Sequence, residues 1–258
     1  MRDITINRRQ GHWILAKMGK KVLRPGGKEL TLKLIKNLEI NTNDDVVEFA
    51  PGLGVTASLA LKDSPKTYTG IELNEEAASI LRKTFIGKDL KIIKGNATNS
   101  TLNDNSYSKV YGEAILTMQN DLKKKEIIKE ANRILKKGGL YGIHELALQP
   151  DTISDEKKSE IQKELAKAIK VNARPLTINE WTDLLEKEGF EIVKTETSPM
   201  HLLEPKRMID DEGFFRMLKI VFNILTHPNE RKRILAMRQV FRKNKIYLKA
   251  ISIVVKKK

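Results

Sequence analysis

A glycine-rich turn between an apolar segment and a helical one is the feature that most constrains the fold. Residues 46–49 (Val-Val-Glu-Phe) predict a short strand, and residues 50–54 (Ala-Pro-Gly-Leu-Gly) follow directly. Gly52 and Gly54 allow a tight turn and the close approach of a ligand to bare backbone. The helix predicted from Thr56 presents its first amides, with their partial positive charge, to the same gap. This arrangement predicts a site for part of a nucleotide-like cofactor.

The glycine spacing alone leaves the identity of the cofactor open. Gly52, Gly54 and Ala57 fit the G-x-G-x-x-G/A pattern of dinucleotide-binding turns. Two neighbours favour a different ligand, because Glu48 at the end of the strand can meet a cationic group and Pro51 removes one amide donor. A nucleoside that carries a cationic amino acid fits these residues better than a pyrophosphate does. S-adenosylmethionine is such a molecule.

Residues 48–54 (Glu-Phe-Ala-Pro-Gly-Leu-Gly) resemble motif I of the class I S-adenosylmethionine-dependent methyltransferases, usually written (D/E)-x-G-x-G-x-G, with Ala50 in place of the first glycine. The resemblance continues in motif order over residues 40–197. Within the family, the sequence is similar to quinone-biosynthesis and other small-molecule methyltransferases. It implies an α/β fold with a Rossmann-like, doubly wound, seven-stranded and mostly parallel sheet. It also implies S-adenosyl-L-methionine as cofactor and S-adenosyl-L-homocysteine as product.

Alternating strand and helix patterns agree with this architecture. Strands are predicted at 44–49, 66–73, 90–94, 110–116, 140–146, 191–197 and 247–255. A helical insertion is predicted between the last two strands, with helices at 213–225 and 229–243. The predicted parts are an N-terminal helical cover (1–40), a cofactor-binding core (41–198), a lid-like insertion (199–245) and a last strand with a basic tail (246–258).

The candidate binding residues follow from the sheet, because ligands of such sheets bind beyond the carboxyl ends of the strands. Glu72 ends the second predicted strand, 18 residues after Gly54, where a carboxylate can accept hydrogen bonds from ribose hydroxyls. By resemblance, residues 96–98 flank the adenine. The residues predicted to contact the cofactor are Glu48, Ala50, Pro51, Gly52, Gly54, Glu72, Leu73, Asn96, Ala97, Thr98, Glu113 and Ala114.

Candidates for catalysis are weaker, because the sulfonium is already a good leaving group and positioning of the acceptor supplies much of the rate. His144 and Glu145 at the exit of the fifth strand, and His201 at the start of the insertion, are predicted as auxiliary catalytic residues. A structural histidine is the alternative for both His144 and His201. His12 lies in a segment that could cover the cleft. No metal site is predicted.

The insertion has three possible roles. Its helix at 213–225 is apolar around most of its circumference, and such helices are buried or meet lipid or a partner. It is interpreted as a lid over an apolar substrate, as a basic amphipathic element that makes peripheral membrane contact through residues 213–243, or as packing within the core or a dimer. The oligomeric state and the identity of the acceptor are left open.

The amino-acid composition excludes several kinds of site and mechanism. The chain of 258 residues has no cysteine, which excludes disulfides, thiolate metal sites and a cysteine nucleophile, and agrees with a cytoplasmic location. Residues 1–5 lack the apolar run of a signal peptide. The predicted function is therefore methyl transfer from S-adenosylmethionine to a small acceptor molecule, for which the insertion suggests an apolar one.

Three alternatives remain open. The net charge of +15 suits an RNA or nucleic-acid methyltransferase, although residues 112–115 (Gly-Glu-Ala-Ile) lack the (Asn/Asp)-Pro-Pro-(Tyr/Phe) motif of enzymes that methylate the amino group of a flipped base. An NAD-dependent oxidoreductase would use the glycine turn but would explain neither Glu48 nor residues 95–97. A non-catalytic binding protein that keeps the fold is the third.

Overall fold

The computed structural model describes residues 10–258, so residues 1–9 of the predicted N-terminal cover, including the segment considered for a signal peptide, lie outside the described residues. The strands are β1 (Asp45–Phe49), β2 (Thr67–Glu72), β3 (Leu90–Lys94), β4 (Tyr107–Glu113), β5 (Leu135–Leu148), β6 (Leu176–Thr177), β7 (Phe190–Pro199) and β8 (Leu248–Lys257). They form one sheet in the order β3-β2-β1-β4-β5-β8-β7, and β6 pairs with the end of β5.

The sheet confirms the predicted fold class. Strands β1 to β5 pair in parallel, whereas β8 is antiparallel to both of its neighbours, β5 and β7. The seven main strands therefore make the predicted doubly wound, mostly parallel sheet, and the two-residue β6 is an addition that the sequence pattern did not indicate. The helical insertion lies between β7 and β8, as predicted.

The helices connect the strands. They are α1 (Gly11–Lys17), α2 (Gly27–Leu38), α3 (Val55–Ala60), α4 (Glu75–Thr84), α5 (Asp121–Ile134), α6 (Asp155–Ile169), α7 (Ile178–Lys187), α8 (Pro205–Glu212), α9 (Phe214–Thr226) and α10 (Pro228–Lys243). Helices α4, α5, α6 and α7 begin at side-chain caps. Thr177 and Glu180 form a capping box at α7. Side-chain oxygens of Asn120 and Ser154 cap α5 and α6 with a single hydrogen bond each.

Both faces of the sheet are covered, because neighbouring residues of a strand point to opposite faces. Val47 of β1 packs in a cluster with Ile128 of α5 and Trp181 of α7, whereas Val46 packs with Leu34 of α2 on the other face. A third cluster joins α1, α6 and the helices of the insertion beyond the end of β5. The insertion is thus attached to the N-terminal helix and not to the middle of the sheet.

Two boundaries differ from the predictions. β5 is assigned from Leu135, although the sequence 136–139 (Lys-Lys-Gly-Gly) predicted a helix stop and a strand from Leu140. Those four residues have no partner on β4, since pairing passes from Leu135 to Leu140, so they form an outward bulge. The insertion has three helices where two were predicted, because Pro205 starts the additional helix α8 at its first position.

Acidic residues at the end of α8 bind the segment between α1 and α2. The Glu212 carboxylate accepts hydrogen bonds from the backbone amides of Lys21 and Val22, both at 2.8 Å. Asp211 accepts one from the amide of Lys28 at 2.8 Å, and the buried Lys20 ammonium lies 3.5 Å from Asp211 and 3.6 Å from Glu212. We call this arrangement the α8 clasp, because it ties residues 20–28 to the insertion.

The glycine turn between β1 and α3 depends on Gly54. Its φ is +73°, and a Cβ placed on it would lie 2.6 Å from the Phe85 ring and 2.8 Å from the Leu81 side chain. Gly52, with a φ of +56°, has no such neighbour, since a Cβ placed there would have the Ala50 carbonyl oxygen, at 3.9 Å, as its nearest atom. Gly54 therefore permits α3 to pack against α4, whereas Gly52 leaves open space.

We expect Gly54→Ala to lower the free energy of unfolding by about 2 kcal/mol or more, because the left-handed backbone conformation and the overlap with Phe85 both oppose a side chain. Urea unfolding followed by circular dichroism measures this. Gly138→Ala is the matched control, since Gly138 has a φ of +76° but its Cβ would have 3.6 Å to the nearest atom. An equal loss in both variants would show that packing around Gly54 contributes nothing.

Candidate active site

A cleft of about 530 Å³ lies beyond the carboxyl ends of β1, β2, β3 and β4. Its lining comes mainly from α1 and the segment after it, from the glycine turn, and from the turns that follow β2, β3 and β4. All of the residues predicted to contact the cofactor line it except Gly54. Gly54 faces α4 instead, so its prediction as a contact residue is corrected to a packing role. For the other residues, contact with a cofactor stays a prediction.

Glu72 joins two of the turns that form the cleft. One carboxylate oxygen, Oε2, accepts a hydrogen bond from the Gly52 amide, and Oε1 accepts one from the Asn74 amide, both at 2.9 Å. The residue is only 6% exposed, yet it lines the cleft beside Leu73. Because a carboxylate has about four lone-pair sites, both oxygens can accept further hydrogen bonds from a ligand.

The turn after β3 holds its own shape. The Asn96 side-chain carbonyl accepts a hydrogen bond from the Thr98 amide at 3.0 Å, and Ala97 is buried beside the core. The Asn96 carbonyl is therefore already an acceptor within the turn that is predicted to flank the adenine. Asn96, Ala97 and Thr98 all line the cleft.

Glu48 lies at the end of β1 and is 2% exposed. Its Oε2 accepts hydrogen bonds from the hydroxyl groups of Tyr68 and Tyr111, at 2.5 and 2.8 Å. Burial raises the pKa of Glu48 to about 7, although the two tyrosine hydroxyls act to lower it. The carboxyl group is therefore about half protonated at neutral pH and would ionise fully beside a cation.

A second carboxylate, Glu113 at the end of β4, is the centre of a buried cluster. It accepts hydrogen bonds from Thr31 at 2.7 Å and from Thr56, it lies 2.9 Å from Nε of Arg24, and it lies 2.6 Å from Nδ1 of His144. Burial by itself would raise the pKa of Glu113, but the charges of Arg24 and His144 lower it to about 2. We call these five residues the Glu113 cluster.

Arg24 is the residue of the cleft that the sequence analysis missed. Residues 24–27 (Arg-Pro-Gly-Gly) indicate a turn, and nothing in that pattern predicts a partner 89 residues away on β4. Arg24 lines the cleft and is 7% exposed, and its Nη2 is buried without a hydrogen-bond partner among the described residues. A buried cationic nitrogen without an acceptor fits an anionic group such as a carboxylate.

The three predicted catalytic residues do not converge on the cleft. His144 is fully buried, its Nε2 lies 2.5 Å from the Pro25 carbonyl oxygen, and it lines neither the cleft nor the smaller cavity beside it. Because both ring nitrogens face acceptors, both donate, and the ring has no lone pair with which to act as a base. The prediction for His144 is therefore replaced by a role in positioning Glu113 and the segment around Pro25.

Glu145 and His201 are placed elsewhere as well. The Glu145 carboxylate accepts hydrogen bonds from the backbone amides of Ile115, Leu116 and Thr117 at 2.7–3.0 Å, which shapes the turn after β4. Burial raises the pKa of Glu145. His201 is exposed and lines neither cavity, so the structure does not support its prediction as a catalytic residue.

A smaller cavity of about 100 Å³ adjoins the cleft. The two share the side chains of His12, Leu23, Ala114 and Met118. The insertion contributes to the smaller cavity and not to the larger cleft, through Met200, Leu202, Met237 and Phe241. The smaller cavity is almost entirely apolar, with Glu145, Thr117 and His12 as its polar residues.

His12 separates the two cavities. Its ring lies 5.2 Å from that of Trp13, and it forms no hydrogen bond with another described residue. Burial lowers the pKa of His12 to about 4, so the imidazole is neutral at pH 7 and keeps a nitrogen lone pair. A group bound between the cavities could therefore donate a hydrogen bond to it.

Metal-binding clusters and membrane-spanning helices are both absent from residues 10–258. No group of three or more His, Cys, Asp or Glu residues is arranged to hold a metal ion in this part of the chain. None of the helices between these two residues combines the length and the apolar character needed to cross a membrane.

Comparison with known proteins identifies the family. A family model described as a methyltransferase domain matches residues 46–139, which span the glycine turn and the ends of β2, β3 and β4. An uncharacterized protein of Haemophilus influenzae is 34% identical over 226 residues, which are 86% of this chain and 88% of that protein. Over residues 46–139, the chain therefore belongs to the methyltransferase domain family.

Two further methyltransferases are similar to this chain. O-methyltransferase 12 of Dictyostelium discoideum is 28% identical over 182 residues, covering 69% of this chain and 46% of that protein. The structure of Haemonchus contortus phosphoethanolamine N-methyltransferase 2 in complex with S-adenosyl-L-methionine superposes with a TM-score of 0.72 at 15% identity, covering 97% of this chain and 58% of that one. The second likeness concerns the fold.

We expect Glu113→Gln to lower the free energy of unfolding by about 3 kcal/mol or more at pH 7, because it leaves the Arg24 guanidinium buried beside a neutral group. The folded pKa of about 2 lies below the ordinary value of 4.5, so the contribution of Glu113 is complete above pH 4.5 and is lost as the pH falls towards 2. Unfolding in urea between pH 7 and pH 2 tests both statements.

Glu204→Gln is the matched control for this prediction. Its pKa is also lowered to about 2, mainly by the hydrogen bond from Arg242, but its carboxylate lies at the surface. We expect a loss of less than about 1 kcal/mol there. Equal losses in the two variants would mean that the Glu113 cluster stabilises the fold no more than a surface ion pair does.

Proposed function

We propose that this protein transfers the methyl group of S-adenosylmethionine to a small acceptor with an apolar body. The observation that carries the proposal is the unpartnered guanidinium nitrogen of Arg24 in a cleft whose other wall is the open turn at Gly52. An amino-acid carboxylate supplies the acceptor that Arg24 lacks among the described residues, and the open backbone allows the ligand to approach closely. The family membership supports the same cofactor.

The remaining residues suit the other parts of that molecule. When bound, the cofactor would supply a sulfonium whose methyl group is already activated for transfer. Glu48 would hold the ammonium group, which a carboxyl with a pKa of about 7 can do by ionising. Glu72 would accept hydrogen bonds from the ribose hydroxyls, and residues 96–98 would flank the adenine.

The smaller cavity supports an acceptor with an apolar body. It adjoins the cleft at Ala114 and Met118, so a molecule held there would lie next to the cofactor. The neutral His12 between the cavities could accept a hydrogen bond or a proton from a hydroxyl or amine of that molecule. Its apolar lining offers no complement to a polyanionic nucleic acid, and we therefore favour a small molecule.

Calorimetric titration with S-adenosylmethionine, S-adenosylhomocysteine and NADH, after co-purified ligand has been stripped, tests the cofactor. We expect binding of the two adenosyl compounds in the micromolar range and none of NADH. Glu72→Ala should weaken the adenosyl compounds about tenfold or more, since a hydrogen bond to a charged group contributes roughly 1.5–3 kcal/mol.

The control for this titration is Glu75→Ala. Glu75 begins α4, three residues beyond Glu72, and its side chain is half-exposed. Among the described residues, it forms ion pairs only with Arg82 and Lys94. The Glu75→Ala variant should bind the adenosyl compounds with the affinity of the unaltered protein. Binding of NADH alone would overturn the assignment of the cofactor. Undiminished affinity of Glu72→Ala for the adenosyl compounds would overturn only the assignment of the ribose site.

Glu48 makes a separate prediction about protons. With a pKa of about 7, the carboxyl group is mostly protonated at pH 6 and ionises if an ammonium group binds beside it. We expect S-adenosylmethionine binding to release about one proton at pH 6 and far less at pH 8.5. Titrations in two buffers with different ionisation enthalpies measure this number. Release that persists in Glu48→Gln would place the proton on another group.

A further inference from the structure

Helix α9 of the insertion is exposed although it is strongly apolar. Ile220 is its only buried residue. Six large apolar side chains are exposed, among them Phe215 at 86% and Phe222 at 65%. We call this set the outer stripe of α9: Phe214, Phe215, Leu218, Val221, Phe222 and Leu225. Apolar groups in such number on one helix are normally covered by a partner or a lipid layer.

The outer stripe has the geometry of one continuous face. At about 100° per residue, its six positions fall within an arc of about 120°. The opposite side of α9 packs against the third core cluster through Met217, Ile220 and Ile224. The Asn223 side chain also donates a hydrogen bond to the Met18 carbonyl at 3.0 Å. The body of the protein therefore holds α9 in place and presents the outer stripe outwards.

Cations border the stripe, and the acidic residues that flank it, Glu212 and Glu230, are already paired with Lys20 and Lys17. Residues 213–229 contain no Asp or Glu. Lys219 borders the stripe on α9, and Lys232 is exposed in the first turns of α10, and neither forms an ion pair with a described residue. Arg231 donates a hydrogen bond to the Leu225 carbonyl at 3.4 Å, so its charge lies at the C-terminal end of the stripe.

We propose that α9 lies on an anionic lipid surface, with its outer stripe in the apolar layer and Lys219, Arg231 and Lys232 at the level of the head groups. An exposed apolar face bordered by cations is the pattern of helices that bind in the plane of a membrane. The net charge of +15 attracts the whole protein to the same surface. This inference does not depend on the proposed methyl transfer.

A second copy of the chain fits the stripe less well. In a two-fold contact through α9, the cations of one copy would lie near those of the other. Glu212 and Glu230, the acidic residues that flank this stretch, already pair with Lys20 and Lys17 of the same chain. Like charges brought together in this way oppose association, whereas acidic lipid head groups neutralise them.

Co-sedimentation of the full chain with vesicles tests the proposal. We expect binding to phosphatidylcholine vesicles that contain phosphatidylglycerol, much weaker binding to pure phosphatidylcholine, and a decrease with added salt. The double substitution Phe215→Ser and Phe222→Ser should reduce the partition coefficient at least tenfold, because two phenyl rings no longer leave water. Lys219→Glu should lower binding to the anionic vesicles alone.

The matched control is Ile86→Ser with Ile246→Ser, which removes two large apolar side chains that are 84% and 61% exposed but lie outside α9. It should bind as the unaltered protein does, and circular dichroism should show that both double variants are folded. Equal binding of the phenylalanine variant overturns the proposal. So does a dimer, seen by sedimentation velocity, that requires Phe215 and Phe222 while vesicles remain unbound.

Discussion

The buried ion pair between Arg24 and Glu113 is the interaction on which the active site depends. It connects the segment before α2 to the end of β4, and through His144 it also reaches β5. A buried charge pair is retained only when its remaining groups are satisfied. Thr31 and Thr56 donate to Glu113, and the Pro25 carbonyl holds His144 beside it. The exception is Nη2 of Arg24, which is buried without an acceptor among the described residues.

Two buried carboxyl groups near the cleft have opposite properties for this reason. Glu113 has cations beside it and remains ionised far below neutral pH, whereas Glu48 has tyrosine hydroxyls as its hydrogen-bond donors and titrates near pH 7. One acid therefore maintains the structure and the other can respond to a ligand charge. The same principle separates the histidines, because His144 donates from both nitrogens while His12 is neutral.

The fold and the turns of the cleft were predictable because they are local in sequence. The glycine turn and the carboxylate at the end of β2 can each be recognised from a few consecutive residues. The alternation of strands and helices is likewise visible in short stretches of sequence. Arg24 was not predictable, because its role arises from a partner 89 residues away on β4. The surroundings of His144 and His201 could not be predicted for the same reason, since a histidine's chemistry depends on the acceptors around it. The sequence pattern did not predict α8, because that helix is short.

The place of β8 in the sheet has a consequence for the nascent chain. β8 is synthesised after both of its neighbours in the sheet, yet it fills an interior position between β5 and β7. Until then, the backbone of β5 on that side, and one edge of β7, are without their partner. Open strand edges of this kind are sites of aggregation. The sheet is therefore complete only after β8 has been synthesised, and until then β5 and β7 are not joined to each other.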